Sequence, residues 1–543
     1  MINVFVTVSA TFAETASRCG QRPFVAVLPE TAALYGIDSG EISYATAKRQ
    51  IDELTKAYQA AGYGHGHRVG LLLDNRPAFF LHWFALNAIG ASVVPISADL
   101  RSAELSYLIG HSEIALAVSP GERHAQLLAA AATAGRELAV MTDQGQVPAA
   151  IFSAPEIDRT PDELSECALL YTSGTTGRPK GCVLQNRYFL HAGRWYASIG
   201  GMATLRPGQE RMLTPLPLVH MNAMAYSAMA MVMTGGCLIV LDRFHTSSWW
   251  SSVRESRATV VHYLGVMPSM LMKVAATEND RHHFVRFGFG AGVDKSLQAS
   301  FEERFNFPLL EAWAMTETGA GAVIIANDRP RSVGTNCFGR EGSDVEVRLL
   351  ADDGSDAILG EPAELLVRHA GLNPRYGFFS HYLKDPEATD EAWASGWFHT
   401  GDIVKRDQEG FLHFIDRRKN VIRRSGENIS AVEVESILNQ IPEVKAVAVT
   451  GTPDDLRGDE VLACIVTHGT LDFKHRTELA ERIVKFTLSQ LAYFKAPGYV
   501  AFVDSLPLTT SQKIQRAELK TMGQVLPGQA NCFDMRSLKK RSS

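Results

Sequence analysis

The chain has 543 residues, 46% of them hydrophobic and 21% charged. At roughly 100–200 residues per domain this predicts roughly three or four structural units, and the near-average composition excludes an intrinsically disordered or collagen-like chain. Lys plus Arg is 53 and Asp plus Glu is 59, a formal net charge of −6, which excludes a general polyanion binder but leaves local basic patches open.

In chain order, residues 1–13 are apolar but carry no Lys or Arg, and the first charge is Glu14, so they do not read as an export signal. Seven cysteines (19, 167, 182, 237, 337, 464 and 532) are odd in number and form no C-x-x-C pair, which predicts reduced thiols in a cytoplasmic protein. A strand at 68–73, a helix at 76–89 and a strand at 92–96 give a βαβ signature. The pattern returns at "TGGCLIVLD", "RATVVHYLGVMPSMLMKVA" and "HHFVRFGFGAG". Strands apolar throughout predict parallel sheets covered on both faces, hence an α/β fold. The uncharged run 212–241 is long enough to cross a bilayer. Pro215, Pro217, Asn222 and Gly235-Gly236 interrupt it, so a buried helix, a tight turn and a strand are expected, with no membrane span.

From Gly339 to about His413, short strands separated by Gly, Pro and Asp turns predict a β-rich subdomain. A change near 418 opens a compact α+β unit of roughly 110 residues, with a helix near 476–491. The last eight residues carry Arg536, Lys539, Lys540 and Arg541 and read as a solvated tail. The pair His282-His283 has no partner ligands at metal spacing.

The strongest chemical signal is segment 171–181, "YTSGTTGRPKG". Its glycines allow tight turns that bring backbone N–H groups to an anion. Hydroxyls at Thr172, Ser173, Thr175 and Thr176 add donors, and Lys180 adds a charge. The spacing is not that of a P-loop NTPase, yet the composition predicts phosphate binding.

This loop resembles the signature of the adenylate-forming superfamily: acyl- and aryl-CoA ligases, peptide-synthetase adenylation domains and beetle luciferases. "LPLVH" (216–220), "AWAMTE" (312–317), "GWFHTGD" (396–402), "DRRKNVIRRSGENIS" (416–430) and "LPLTTSQKIQR" (506–516) follow in the family order. The resemblance covers roughly 40–520. It implies a large N-terminal ATP- and acid-binding domain (1–417), made of two parallel αβαβα-type subdomains and a distorted β-barrel subdomain (about 335–415). A small mobile α+β lid (418–525) and a tail (526–543) would follow.

The resemblance implies a two-step acid:CoA ligase, with ATP, Mg²⁺ and CoA as cofactor or co-substrates. Thr172, Ser173, Gly174, Thr175, Thr176, Gly177 and Lys180 would cradle phosphate; Gly290, Ala291 and Gly292 would pass beside the nucleotide and the acyl group. Ala312, Trp313, Ala314 and Met315 would flank adenine, Thr316 would donate to phosphate and Glu317 would carry the metal. Asp402 with Arg417 would hold ribose, His220 would gate the acyl site, Lys419 would be the hinge, and Gly426 would line the pantetheine route. Lys513 would stabilise the transferring phosphate.

Trp313 stands where the family usually has Tyr, Ala312 and Ala314 replace frequent glycines, and Gln512 replaces the Gly before the lysine. Taken singly, Glu317 also reads as a surface carboxylate, Asp402 as a turn residue, Trp313 as a core aromatic and Lys513 as a solvated side chain.

Segments 73–96 and 416–435 resemble the crotonobetaine/carnitine-CoA ligases, implying a short acid with a trimethylammonium group. An aromatic cage for that cation would draw on Trp195, Tyr196, Tyr226, Trp249 and Trp250. Medium-chain fatty or aryl acids, a peptide-synthetase-like adenylation enzyme, a luciferase-like oxygenase and a non-catalytic nucleotide-binding relative are the alternatives. No nucleic-acid partner is expected, and a homodimer is left open.

Overall fold

A computed structural model describes residues 6–539 apart from 101, 156, 158, 173–178, 418–419, 425–426, 455–457, 492 and 509–512. The chain divides into two compact units, one of residues 1–347 and 367–399, the other of 348–366 and 400–543.

Two sheets build the first unit. The larger has eight strands, with six parallel neighbours in the order Leu309–Trp313, Phe287–Ala291, Val260–Leu264, Arg211–Thr214, Cys237–Val240 and Pro23–Val27. Antiparallel edge strands Ile324–Ile325 and Gly40–Ser43 close it on either side. The second sheet has seven strands, and Glu166–Thr172, Ser92–Pro95, Arg68–Leu71, Leu116–Val118 and Ala139–Met141 run parallel. Lys180–Gln185 and His381–Tyr382 extend it antiparallel. The apolar strands thus lie in parallel sheets, as their unbroken hydrophobicity predicts.

Local chemistry explains the connecting helices. The apolar residues 8–13 belong to helix Val8–Cys19, whose first turn is capped by the Thr7 hydroxyl accepting from the Ala10 N–H. Helix Pro77–Ala88 starts on a proline whose missing N–H costs nothing there. Its Phe79, Phe80, Trp83 and Phe84 are fully buried, each stabilising the core by roughly 1.5–3 kcal/mol. The uncharged run becomes a π-helix, Asn222–Ala228, continued by Met229–Thr234, a left-handed turn at Gly235 (φ 66°), and strand Cys237–Val240. Among the described residues no helix is long and apolar enough to cross a membrane.

The segment 337–417 is strand-rich: Cys337–Gly339, Val345–Leu350, Ala363–His369, Phe398–Arg406 and Leu412–Arg417. In the second unit, Ile422–Arg424, Gly458–Thr467, Tyr499–Phe502 and Cys532–Asp534 form one sheet with Glu427–Ile429 and Val444–Asp454. Helices Ala431–Leu438 and Phe473–Gln490 send Val434, Leu438, Leu479, Ile483 and Val484 into its core.

The last eight residues read as a solvated tail, but among those described (536–539) Lys539 departs from it, and the stretch before them is packed. Cys532–Asp534 pairs with Tyr499–Phe502, Phe533 and Met535 are buried, and the side chain of Lys539 is buried as well. Lys539 Nζ donates to Glu460 at 2.5 Å, and Arg424 Nε donates to the same carboxylate at 2.9 Å. A lysine's four-carbon stem lets one charge reach an internal carboxylate, which a count of charges does not reveal. Glu460→Ala removes the carboxylate between two buried cations. It is expected to cost about 3–5 kcal/mol, read as a lowered first transition in scanning calorimetry.

Candidate active site

The site forms where the carboxyl ends of adjacent parallel strands open, the usual place for a ligand in such sheets. Strand Arg211–Thr214 leads to His220, Phe287–Ala291 to the 290–292 turn, and Leu309–Trp313 to Thr316 and Glu317. From the other sheet, Thr172 ends its strand and pairs in register with Lys180. Ser173, Gly174, Thr175, Thr176 and Gly177, expected to cradle phosphate, lie outside the described residues, as do Lys419, Gly426 and Gln512.

Glu317 is not a surface carboxylate: it is 7% exposed, and the Tyr382 hydroxyl donates to its Oε1 at 2.9 Å. The Phe379 N–H donates to its backbone carbonyl, and the Tyr188 hydroxyl donates to the Thr316 carbonyl at 2.9 Å. These bonds join the two sheets around residues 316–317. Lys180 Nζ lies 4.8 Å from the centre of the Tyr382 ring and 3.9 Å from Asp385, so its charge stands on the same wall as Glu317. Beneath them, burial and the neighbouring Glu317 charge push the Cys182 thiol far above its ordinary pKa, leaving it inert.

Tyr382 and Glu311 are functional candidates that the motifs missed. Glu311 is buried, and its pKa is pushed up to about 7 by burial. Its Oε2 accepts from the Gly292 N–H at 2.7 Å, directly under the exposed turn at Ala291 and Gly292. The only sequence signal is a lone carboxylate inside an otherwise apolar strand. Trp313 is 7% exposed and lies near Phe338, with ring centroids 6.3 Å apart.

The proposed cage separates into parts. Trp195 and Tyr226 have ring centroids 5.6 Å apart, and Phe289 lies 5.7 Å from Tyr226; Tyr196 packs behind at 4.7 Å from Phe289. Trp195 alone of these is partly exposed, so it presents the open face. Trp249 instead packs on Phe244 and Trp250 stacks on Phe305, remote from that cluster in the contacts they make. Helical spacing brings 195 and 196 to the π-helix, whereas 249 and 250 start a different helix, Trp249–Glu255. His262 adjoins the ring cluster, held by Ser227 Oγ and Asn222 Oδ1 at 2.8 Å each. Burial lowers its pKa to about 3, so this wall is neutral at physiological pH.

In the second unit, Asp402 is 2% exposed and faces Arg417 across an antiparallel pair, with Nε 3.0 Å from Oδ1. Asp416, which opens the basic block, accepts from the Arg417 N–H at 2.7 Å and the Ser430 hydroxyl at 3.1 Å, tying the two ends of 416–430 together. Lys513 is exposed as a residue. Its ammonium nonetheless sits below the usual lysine pKa, first through loss of surrounding water and second through the like charge of Arg417. Arg516, three residues on, grips buried Glu435 through two bonds of 2.6 and 2.7 Å and so fixes the segment.

Among the described residues no three His, Cys, Asp or Glu converge. The single buried carboxylate of Glu317 therefore fits a Mg²⁺ that takes most of its ligands from phosphate and water, not one held in a protein cage. A cavity of about 320 Å³ lined by Arg206, Arg211, Arg257 and Arg286 lies toward the amino ends of the same strands and contains none of the expected site residues.

Known proteins resemble this chain. The AMP-binding enzyme family matches residues 21–376, and the AMP-binding enzyme C-terminal domain matches 433–513. A crotonobetaine/carnitine–CoA ligase of Salmonella arizonae is 32% identical over 90% of this chain and 96% of its own length. One from Escherichia coli is 31% identical over the same shares. Among solved structures, ATP-bound MatB from Rhodopseudomonas palustris superposes with a TM-score of 0.78 at 23% identity, covering 95% of this chain and 99% of that one. o-Succinylbenzoate CoA synthetase from Bacillus subtilis, in complex with its acyl-adenylate intermediate, has a TM-score of 0.79 at 22% identity, covering 94% and 97%. These two share the fold.

Proposed function

Because this chain belongs to the AMP-binding enzyme family and is an adenylate-forming acyl-CoA ligase, we propose that its acid is a short carboxylate bearing a trimethylammonium group. The observation that carries the reading is the neutral wall of Trp195, Tyr226 and Phe289 beside an uncharged His262. A quaternary ammonium is attracted to the faces of aromatic rings and needs no counter-charge there. The names of relatives about 32% identical point the same way.

In the first step a carboxylate oxygen attacks the α-phosphorus of ATP, and the bond to the β-phosphate oxygen breaks, releasing pyrophosphate. Two anions must be brought together, so the protein's work is positioning and charge stabilisation. Thr172, Lys180 and the adjoining 173–177 loop would hold phosphate; Thr316 would donate to it, and Trp313 with 312–315 would bound the base. Asp402 and Arg417 would fix the ribose hydroxyls, and Lys513 would place its charge on the transferring phosphate. Glu317, steadied by Tyr382, would hold Mg²⁺, which when bound neutralises charge on the triphosphate. In the second step the CoA sulfur attacks the acyl carbon, a C–S bond forms and AMP leaves with the bonding oxygen. Lys419 would be the pivot between the steps, and Gly426 would lie on the thiol's route. Seven cysteines without a disulfide support a reducing, cytoplasmic setting.

The test is pyrophosphate release across carnitine-like, medium-chain and aryl acids, followed by thioester detection with CoA. We expect the highest kcat/KM with a trimethylammonium acid, and about tenfold loss with its uncharged isostere. Equal or better turnover of an aliphatic or aryl acid would reject the substrate reading. No release with any acid would reject the activity.

A further inference from the structure

One buried acid is left without a role by the two-step scheme. Glu311 lies on strand Leu309–Trp313, but its carboxylate reaches across to the next strand, Phe287–Ala291, and the turn that follows it. Oε2 accepts from the Gly292 N–H at 2.7 Å, and the Val293 N–H reaches both oxygens at 3.2 and 3.3 Å. Tyr263, from the strand on the other side, donates its hydroxyl to Oε1 at 2.5 Å. The carboxylate thus gathers three donors from two elements, which offset the cost of burying it and tie the turn to the neighbouring strands.

The turn has little other freedom. Gly292 is left-handed (φ 80°), and the Gly265 N–H donates to the Ala291 carbonyl at 2.9 Å. A Cβ on Gly265 would stand 1.6 Å from the Gly292 oxygen, and one on Gly290 would stand 2.3 Å from the Tyr263 oxygen. Backbone therefore packs on backbone along one side of the turn, and Glu311 closes the other. Ala291 and Gly292 themselves are exposed, at the mouth of the site, while the group that fixes them lies underneath.

We infer that Glu311 is a positioning residue of the ligase: ionised, it holds the 291–293 turn in the shape that receives the nucleotide and acyl group. The inference rests on the proposed reading of that turn. A carboxylate offers acceptors to all three donors, whereas the protonated acid turns one oxygen into a donor and must release or weaken a backbone N–H. Charged groups facing Glu311 are few. Tyr263 is in contact, and Glu302 lies near, bound to Arg331 at 2.5 Å, so that pair's charges largely cancel. Burial raises the Glu311 pKa to about 7, while the Gly292 and Val293 N–H bonds pull it down; the closed turn therefore favours the ionised carboxylate, and the hold on the turn weakens as pH falls through that value.

Glu311→Gln keeps the shape and fixes the protonated-like state. Hydrogen exchange of the 288–296 peptide, corrected for intrinsic rates, is the direct readout. In the wild type, protection is expected to rise about tenfold between pH 6 and pH 8. In E311Q it stays at the low-pH level throughout. Acid-dependent pyrophosphate release should follow: kcat/KM of E311Q at pH 8 falls about tenfold, to the wild-type value at pH 6, and loses its slope. Tyr263→Phe supplies a second check that keeps the carboxylate. It removes a donor favouring ionisation, so the midpoint of the wild-type profile moves upward. Equal protection in wild type and E311Q, or a midpoint unmoved in Y263F, overturns the inference. A wild type that holds the turn tightly but releases no pyrophosphate from any acid would instead overturn the ligase reading and leave the exchange result standing.

Discussion

Lys513→Ala is expected to lower acyl-adenylate formation from acid and ATP by about 100- to 1,000-fold with the fold intact. That is the range seen when one preorganised charge or donor is removed from a developing oxyanion. The size follows from how the residue is held. A bridge between Leu508 and Ile514, and the Gln515 N–H donating to the Pro507 carbonyl at 2.8 Å, pin the backbone on its C-terminal side. Arg516 then anchors the segment on buried Glu435. A lysine so anchored loses less freedom when it meets a phosphate than one on a free strand. Its depressed pKa also has a direction: the ammonium gives up its proton at lower pH than an ordinary lysine, so the adenylation rate should decline on the alkaline side before pH 10.5. Lys513→Arg should remove that alkaline decline. ATP–pyrophosphate exchange measures both effects, and exchange by Lys513→Ala at near wild-type rate would exclude the role.

Glu317→Gln is the second large effect, with pyrophosphate release expected to fall about 100-fold. The amide oxygen still accepts from Tyr382, so the bond that ties the two sheets survives and the thermal transition should move little. What is lost is the charge. A single carboxylate supplementing phosphate and water predicts a higher Mg²⁺ concentration for half-maximal rate, by about tenfold or more. An unchanged Mg²⁺ requirement would show that Glu317 is a structural carboxylate serving Tyr382. A fall in thermal stability matching the loss of rate would say the same.

Much of this was legible in the chain because its signals are local. Unbroken apolar runs point to the parallel strands that the sheets contain, and the ordered blocks single out Thr316, Glu317, Asp402 and Lys513 as candidates. What stayed hidden depends on distance along the chain. Tyr382 meets Glu317 from 65 residues away, and Glu311 meets Tyr263 from 48, and neither Tyr sits in a motif. The aromatic candidates shared a composition but not a location, since composition says nothing about which helix face meets which strand. The last eight residues mislead for a related reason: their charge pattern is that of a solvated segment, while Lys539 pairs with Glu460 from 79 positions earlier, and Phe533 and Met535 just before them belong to a core assembled from residues some 100 positions earlier.

The π-helix Asn222–Ala228 carries a last consequence, an evolutionary one. A π-turn is an α-helix that has absorbed one extra residue. It sets Asn222 and Ser227 on one imidazole and puts Tyr226 beside Trp195. Deleting a single residue there would return the segment to α-helical winding and swing the following side chains by about 100°. The flanking strands could keep their register while the ring wall proposed for the acid changed wholesale. A one-codon insertion or deletion in this π-helix would therefore repack the ring cluster in a single step.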